Sequence, residues 1–264
     1  MKLRVWGCEV QEIQLMGHIV AGFPNFEASL ECAKGICLGG ADFLEVQFPF
    51  SDPNADGVVI ANACEESLRG GFNTDLGFEL IYKLKEDLHA RGRESKILIM
   101  TYGNILFAYG VEKFLNKARD CGVFGLIVPD LSLQNDEGLF KKAQKFGLEN
   151  IALIAPCTSP KRIRKLTAKS GSFVYVVARN GITGEQTQIS PELFAYLSKV
   201  KKDCPKPLAL GFGIRTKEQV NALRGIVPIV VIGSAFVQQI QNLKDKGEAN
   251  YKQTMQDFTQ NLMS

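Results

Sequence analysis

The chain has 264 residues, 45% of them hydrophobic and 22% charged, with a net charge of +3 at pH 7. That balance fits a globular protein with a full apolar core, and interspersed charge leaves no basic footprint for nucleic acid or an anionic membrane. No apolar run approaches the ~20 residues of a membrane span, and the opening MKLRVWGCEVQEIQ carries no apolar signal core, so a cytoplasmic protein is expected.

Short β-branched runs fall, in chain order, at 17–21, 42–47, 96–102, 125–129, 150–155, 172–177, 207–211 and 228–232. Segments with helical spacing lie between them at 26–38, 75–88, 111–120, 136–145, 161–168, 191–202 and 217–223. Near-continuous apolar strands alternating with amphipathic helices predict a parallel sheet covered by helices. Eight such units in this length predict a single (β/α)₈ TIM barrel over residues 1–264 rather than an open doubly wound sheet. Neither a Gly/Ser-rich linker nor a sequence repeat divides it. Additional helical segments are expected at 60–70, 235–243 and 251–263, and an N-terminal helical extension around Trp6 is expected to cap the barrel floor.

Seven cysteines, an odd number, include no C-x-x-C pair, and the two histidines, His18 and His89, are too few for a zinc-type cluster. Reduced, buried thiols are expected. The basic run 161–165 alternates with apolar residues and reads as a solvated helix face.

In such a barrel, chemistry gathers at the C-terminal strand ends. Glu45 lies inside an apolar strand, where a carboxylate is costly without a partner or a task, and Asp56 lies on the Pro/Gly-rich loop beyond it. One desolvated and one wetter carboxylate can hold different protonation states at neutral pH, as general acid–base chemistry requires. The competing reading is a strand edge followed by an acidic turn. Tyr102 and Asn104 follow the third strand and Pro129-Asp130 the fourth. Gly184, Gly213 and Gly233-Ser234 follow the sixth, seventh and eighth, where backbone N–H groups free of Cβ crowding can close around a phosphate. A helix starting at Ser234 would add its N-terminal dipole. Lys96 stands at the start of its strand, the wrong end for catalysis.

The segment FLEVQFPFSDPNADG, with Pro49-Phe50-Ser51-Asp52-Pro53 and Ala55-Asp56-Gly57, resembles the signature of the tryptophan synthase alpha chain family. The segments 180–184, 211–214 and 232–235 resemble the stretches that hold the substrate phosphate in that family. The resemblance implies a lyase of tryptophan biosynthesis that cleaves indole-3-glycerol phosphate to indole and glyceraldehyde 3-phosphate. Glu45 and Asp56 would be the catalytic pair. Met100, Tyr102, Leu153, Tyr175, Phe212 and Ile232 would line the indole pocket, and Thr183, Gly184, Gly213, Gly233 and Ser234 would bind the remainder of the substrate. Asp52, Pro53 and Asn54 would face a beta chain carrying pyridoxal phosphate, in an alpha2beta2 heterotetramer. This half-reaction itself needs no cofactor and no metal. The loops at 49–57 and 179–188 are expected to close when substrate and partner bind.

Several positions depart from the family pattern. Gln47 stands in place of the usual Gly, on the same strand face as Glu45, where its amide can crowd the pocket or hydrogen-bond that carboxylate. His18 replaces a common Phe and is read first as a residue of the pocket wall, with a catalytic role as the alternative. Asn54 and Val58 alter the loop that faces the partner. Two other functions compete: an alpha-like chain that only activates a beta chain, and a different phosphate-binding barrel enzyme.

Overall fold

The computed structural model describes residues 4–5, 8–9, 12–132, 135–178, 189–211 and 213–264. At the N-terminus, β1 (Arg4–Val5) and β2 (Cys8–Glu9) pair as an antiparallel ribbon in place of the expected helical extension. Trp6 lies outside the described residues. The chain continues through β3 (Gln14–Val20), α1 (Phe26–Leu38), β4 (Phe43–Gln47), α2 (Val58–Arg69), α3 (Thr74–Ala90), β5 (Lys96–Met100), α4 (Gly103–Tyr109) and α5 (Val111–Asp120). Next come β6 (Gly125–Ile127), α6 (Leu139–Lys145), β7 (Glu149–Asn150), β8 (Leu153–Ile154), α7 (Pro160–Lys169), β9 (Val174–Val177) and α8 (Pro191–Asp203). The order ends with β10 (Leu208–Gly211), α9 (Lys217–Leu223), β11 (Ile229–Val231), α10 (Ser234–Asp245) and α11 (Tyr251–Met263).

The main sheet is parallel, in the order β7-β6-β5-β4-β3-β11-β10-β9-β8. Its two ends are halves of one stretch, 149–154. Glu149 and Asn150 register with Gly125 and Leu126, whereas Leu153 and Ile154 register with Tyr175 and Val176. Across the break, the amide of Ile151 donates to the Leu126 carbonyl and that of Tyr175 to the Ala152 carbonyl, both at 2.9 Å. With 149–154 counted as one strand, the sheet closes as an eight-stranded (β/α)₈ barrel.

Strand alternation sorts the apolar residues into two cores. Leu44, Val46, Ile97, Ile99, Val174 and Val176 face outward and pack under the helices. Met16, Phe43, Leu98, Phe173, Ala209 and Ile229 fill the barrel interior. On the floor, Phe43 meets Phe173 edge to face at 5.4 Å, and the Lys96 ammonium lies over the rings of Phe124 and Phe43 at 4.7 and 5.5 Å. Lys96 is therefore occupied at the end away from any strand-end chemistry. Helix starts follow their capping residues: Asn25 and Asn73 accept amide bonds at α1 and α3, and Thr216 with Gln219 forms a capping box at α9. The C-terminal α11 lies against α1 at Gly35, where a Cβ would come within 2.2 Å of the Lys252 carbonyl oxygen.

The departures from the sequence reading include one additional helix and one displaced helix start. The seven-residue α4 was not expected. Its first amide, Gly103 N–H, donates to both carboxylate oxygens of Asp130 at 3.0 and 3.1 Å, a partner far away in sequence. Helix α6 begins at Leu139 rather than 136, because Gly138 takes a left-handed φ of 75° and the Asp136 carboxylate accepts the Phe140 amide at 3.1 Å.

Candidate active site

On β4 the period of two turns Glu45 and Gln47 into the barrel mouth, above Phe43. Neighbouring β3 places His18 opposite Glu45 in the strand register, with Nδ1 3.5 Å from the Glu45 Oε1. Both side chains are buried, at 3% and 5% exposure, so the contact is shielded from solvent screening.

Asp56 returns to the same space on the loop after β4. Its amide donates to the Pro53 carbonyl at 2.9 Å, and Gly57 caps α2 immediately after it. Its Oδ2 accepts two hydrogen bonds, from Gln47 Nε2 at 2.7 Å and from the Tyr102 hydroxyl at 3.0 Å. The Tyr102 hydroxyl in turn accepts the Ala55 amide at 3.1 Å, and its ring stacks on Phe50 at 5.0 Å. The loop is thus pinned from two strands. Gln47 bonds Asp56 rather than Glu45, which corrects the expectation for that amide. Gln47 also reaches the Cys64 sulfur at 3.4 Å, and its Oε1 has no hydrogen-bond partner among the described residues.

Burial pushes the Asp56 carboxyl above the ordinary carboxylate range. The hydrogen bond from Gln47, the nearby imidazole of His18 and the Tyr102 hydroxyl pull it back, while the Glu45 charge adds to the rise. Burial, with the Asp56 charge, also holds the Tyr102 phenol protonated far above its usual range. The Cys64 thiol is pushed up to about 12 by burial and by Asp56, which makes it a packing group and not a nucleophile.

The expected phosphate rim is partly described. Gly213 follows β10 with a φ of 81°, a conformation that favours glycine, and its carbonyl accepts Gln219 Nε2 at 3.2 Å. The same side chain accepts the amides of Arg215 and Thr216 at 2.8 and 3.1 Å, so a buried Gln219 sets the shape of this turn. Gly233 precedes α10, whose first residue is Ser234. The free amides of a helix start attract anions. Gly211 has a different use: a Cβ there would lie 2.3 Å from the Tyr175 hydroxyl, so its absence makes room for that ring. Thr183, Gly184 and Phe212 lie outside the described residues, as does the loop 179–188.

One cavity brings together His18, Glu45, Asp56, Tyr175, Gly213 and Ser234, with Met100, Leu153 and Gly233 also on its wall. Ile232 is not on that wall. Its side chain packs in the outer core and its neighbour Val231 faces the cavity, since a shift of one strand position reverses the face. Tyr102 acts from behind Asp56. Ile60, Ile127 and Pro129 add to the apolar lining; Pro129 stands at the end of the fourth strand as the sequence reading placed it, whereas Ile60 gave no signal beyond that of an ordinary core residue. Asp52 and Asn54 are exposed on the loop crest with Pro53 half-buried, and Val58 beside them is 67% exposed. Asn104 is exposed on α4. No described helix is long and apolar enough to cross a membrane.

A profile of the family described as tryptophan synthase alpha chain matches residues 8–263. The tryptophan synthase alpha chain of Helicobacter hepaticus is 48% identical over 95% of this chain and 95% of its own length. That of Methanosarcina acetivorans is 40% identical over 88% of this chain and 82% of its own. The solved tryptophan synthase alpha chain of Legionella pneumophila superposes with a TM-score of 0.85 at 26% identity, covering 96% of this chain and 90% of that one. The fold, the profile and these relatives agree: the chain belongs to the tryptophan synthase alpha chain family.

Proposed function

We propose that Glu45 and Asp56 are the catalytic pair of this family's carbon–carbon lyase reaction, the retro-aldol cleavage of indole-3-glycerol phosphate to indole and glyceraldehyde 3-phosphate. The observation that carries the assignment is the convergence of both carboxylates, each more than nine-tenths buried, on one cavity that also reaches Gly213 and Ser234. Breaking the bond requires a proton on ring C3, removal of the proton from the adjoining hydroxyl, and stabilisation of charge at the ring nitrogen. Glu45, next to the apolar wall of Met100 and Leu153, serves the proton transfers. Asp56, held by Gln47 and Tyr102, receives the indole N–H in its ionised form. Tyr175, Met100, Leu153 and Phe212 bound the ring, and Thr183, Gly184, Gly213, Gly233 and Ser234 hold the phosphate and glycerol end.

The same reading makes residues 1–264 one barrel domain of a cytoplasmic enzyme and gives it a beta chain carrying pyridoxal phosphate as partner, in an alpha2beta2 complex. The exposed crest of Asp52, Pro53 and Asn54 is the surface proposed for that partner. Crest and Asp56 lie on one short loop, so docking there bears directly on the carboxylate. Indole release from indole-3-glycerol phosphate, measured with and without a cognate beta chain, tests the reading. A chain that releases no indole under either condition is not this lyase.

A further inference from the structure

Cleavage as assigned to Glu45 and Asp56 leaves His18 idle, although its imidazole stands on the cavity wall between Glu45 and the Gly233 rim. Its Nδ1 faces the Glu45 carboxyl at 3.5 Å. Its Nε2 is buried and meets no hydrogen-bond partner among the described residues. A buried polar atom left unmatched calls for a ligand or a task. The carbonyl oxygen of a carboxyl beside Nδ1 can accept a hydrogen bond from it, which favours the tautomer with its proton there and leaves the lone pair on Nε2. That is the arrangement of a general base oriented by an acidic neighbour.

Resting on the lyase reading above, we propose that His18 is a catalytic residue of this chain and takes the proton of the glycerol hydroxyl next to the ring. Glu45 in its acid form gives its proton to ring C3. The hydroxyl O–H bond then breaks: its proton goes to Nε2 and its electron pair forms the aldehyde C=O. The carbon–carbon bond breaks with it, and that pair returns to the ring and neutralises the charged nitrogen. Glu45, now a carboxylate, faces the imidazolium across the 3.5 Å contact. The pair ends with as many protons as it began with, and it resets by proton exchange when the products leave. Two transfers that would otherwise fall on one carboxyl are divided between two groups.

The neighbours of His18 permit this role. The titratable groups facing it are Glu45 from β4 and Asp56 from the loop beyond, and the Tyr175 phenol on the same cavity wall is held protonated by burial. The β11 and α2 sides present Gly233 and Ile60, which do not titrate.

The test uses the full chain with its cognate beta chain and follows indole release from indole-3-glycerol phosphate across pH, for wild type, His18→Phe and His18→Gln. Phenylalanine restores the apolar wall, and glutamine keeps a polar group without a basic nitrogen. Circular dichroism establishes that at least one variant is folded. The expected result is a loss of about 10²-fold or more in kcat for both, little change in KM, and a pH profile that differs from that of the wild type. A folded variant that keeps kcat within about threefold and the wild-type pH profile overturns the proposal, leaving both transfers to Glu45. So does a rise in KM with kcat intact, which would make His18 a binding residue. If the wild type itself releases no indole, the lyase reading fails first, and this role for His18 fails with it.

Discussion

The floor and the mouth of the barrel interior are built from the same strands, a few residues apart, yet they obey opposite rules. On β4, Phe43 enters the floor among aromatic rings, while Glu45 and Gln47 enter the mouth as polar side chains with little exposure. The floor is satisfied by itself: ring edges meet ring faces, and a nearby cation, Lys96, lies over two of them. The mouth is not. His18 Nε2 and Gln47 Oε1 are buried without partners among the described residues, and Asp56 is desolvated. A folded chain tolerates such costs where a ligand or a reaction will use the groups. The floor carries stability and the mouth carries chemistry, and this division can be broken by substitution on either side.

The largest effect is expected from Glu45→Gln. It keeps the shape of the side chain and removes the proton, so indole release should fall by about 10²–10⁴-fold with thermal unfolding nearly unchanged. Wild-type turnover in the folded variant would take Glu45 out of the mechanism. Asp56→Asn should lower kcat by about 10²–10³-fold, because an amide offers the ring N–H no charge; a mild loss would reduce Asp56 to a loop residue. Phe43→Ala should do the reverse. Deleting a buried ring from the floor should cost about 3–5 kcal/mol of stability in denaturant titration, while the folded fraction keeps its KM. A lowered KM or an unchanged midpoint would show that floor and mouth are not separate in the way described.

A smaller, signed effect is expected at Tyr102. Its hydroxyl lowers the Asp56 carboxyl from the elevated position that burial gives it. Tyr102→Phe should therefore raise that carboxyl further and move the acid limb of indole release to higher pH. A limb that stays in place would mean another group controls it. The stability linkage has the same origin. A carboxyl raised on folding contributes stability that is full below its unfolded value and is lost as pH climbs through the folded one. Asp56→Asn should flatten that part of the stability profile, as urea midpoints across the acid range would reveal.

Much of this was legible in the residues. Apolar strand runs at near-even spacing announced the barrel, and Glu45 announced itself as a charge in the wrong medium. The structure added what depends on distant partners. Helix α4 forms where Asp130, from the next βα loop, receives its first amide, and no local pattern encodes that. The bond from Gln47 to Asp56 spans a Pro-rich loop whose path the sequence does not dictate, so strand alternation pointed to Glu45 instead. Ile232 and Val231 differ by one position, and period-two reading at the end of a strand only three residues long cannot decide between them. Gln219 looked like an ordinary helix residue until it was seen holding the Gly213 turn.

The divided strand at 149–154 has a mechanical consequence. Every residue of β4 is registered with a neighbour on both sides, from Phe43 to Gln47. Along 149–154 each registered residue is paired with one neighbouring strand only, while the Asn150 carbonyl also accepts the Gly171 amide at 2.7 Å. Of the strands in the ring, the one with this joint is expected to yield first. Leu153 and Tyr175 flank it, on the wall across the cavity from Glu45 and His18. Widening there would leave the positions of the two acids almost untouched. Bulkier rings than indole should therefore be admitted by changes at the joint, and the substrate range of this barrel can drift while its chemistry stays fixed.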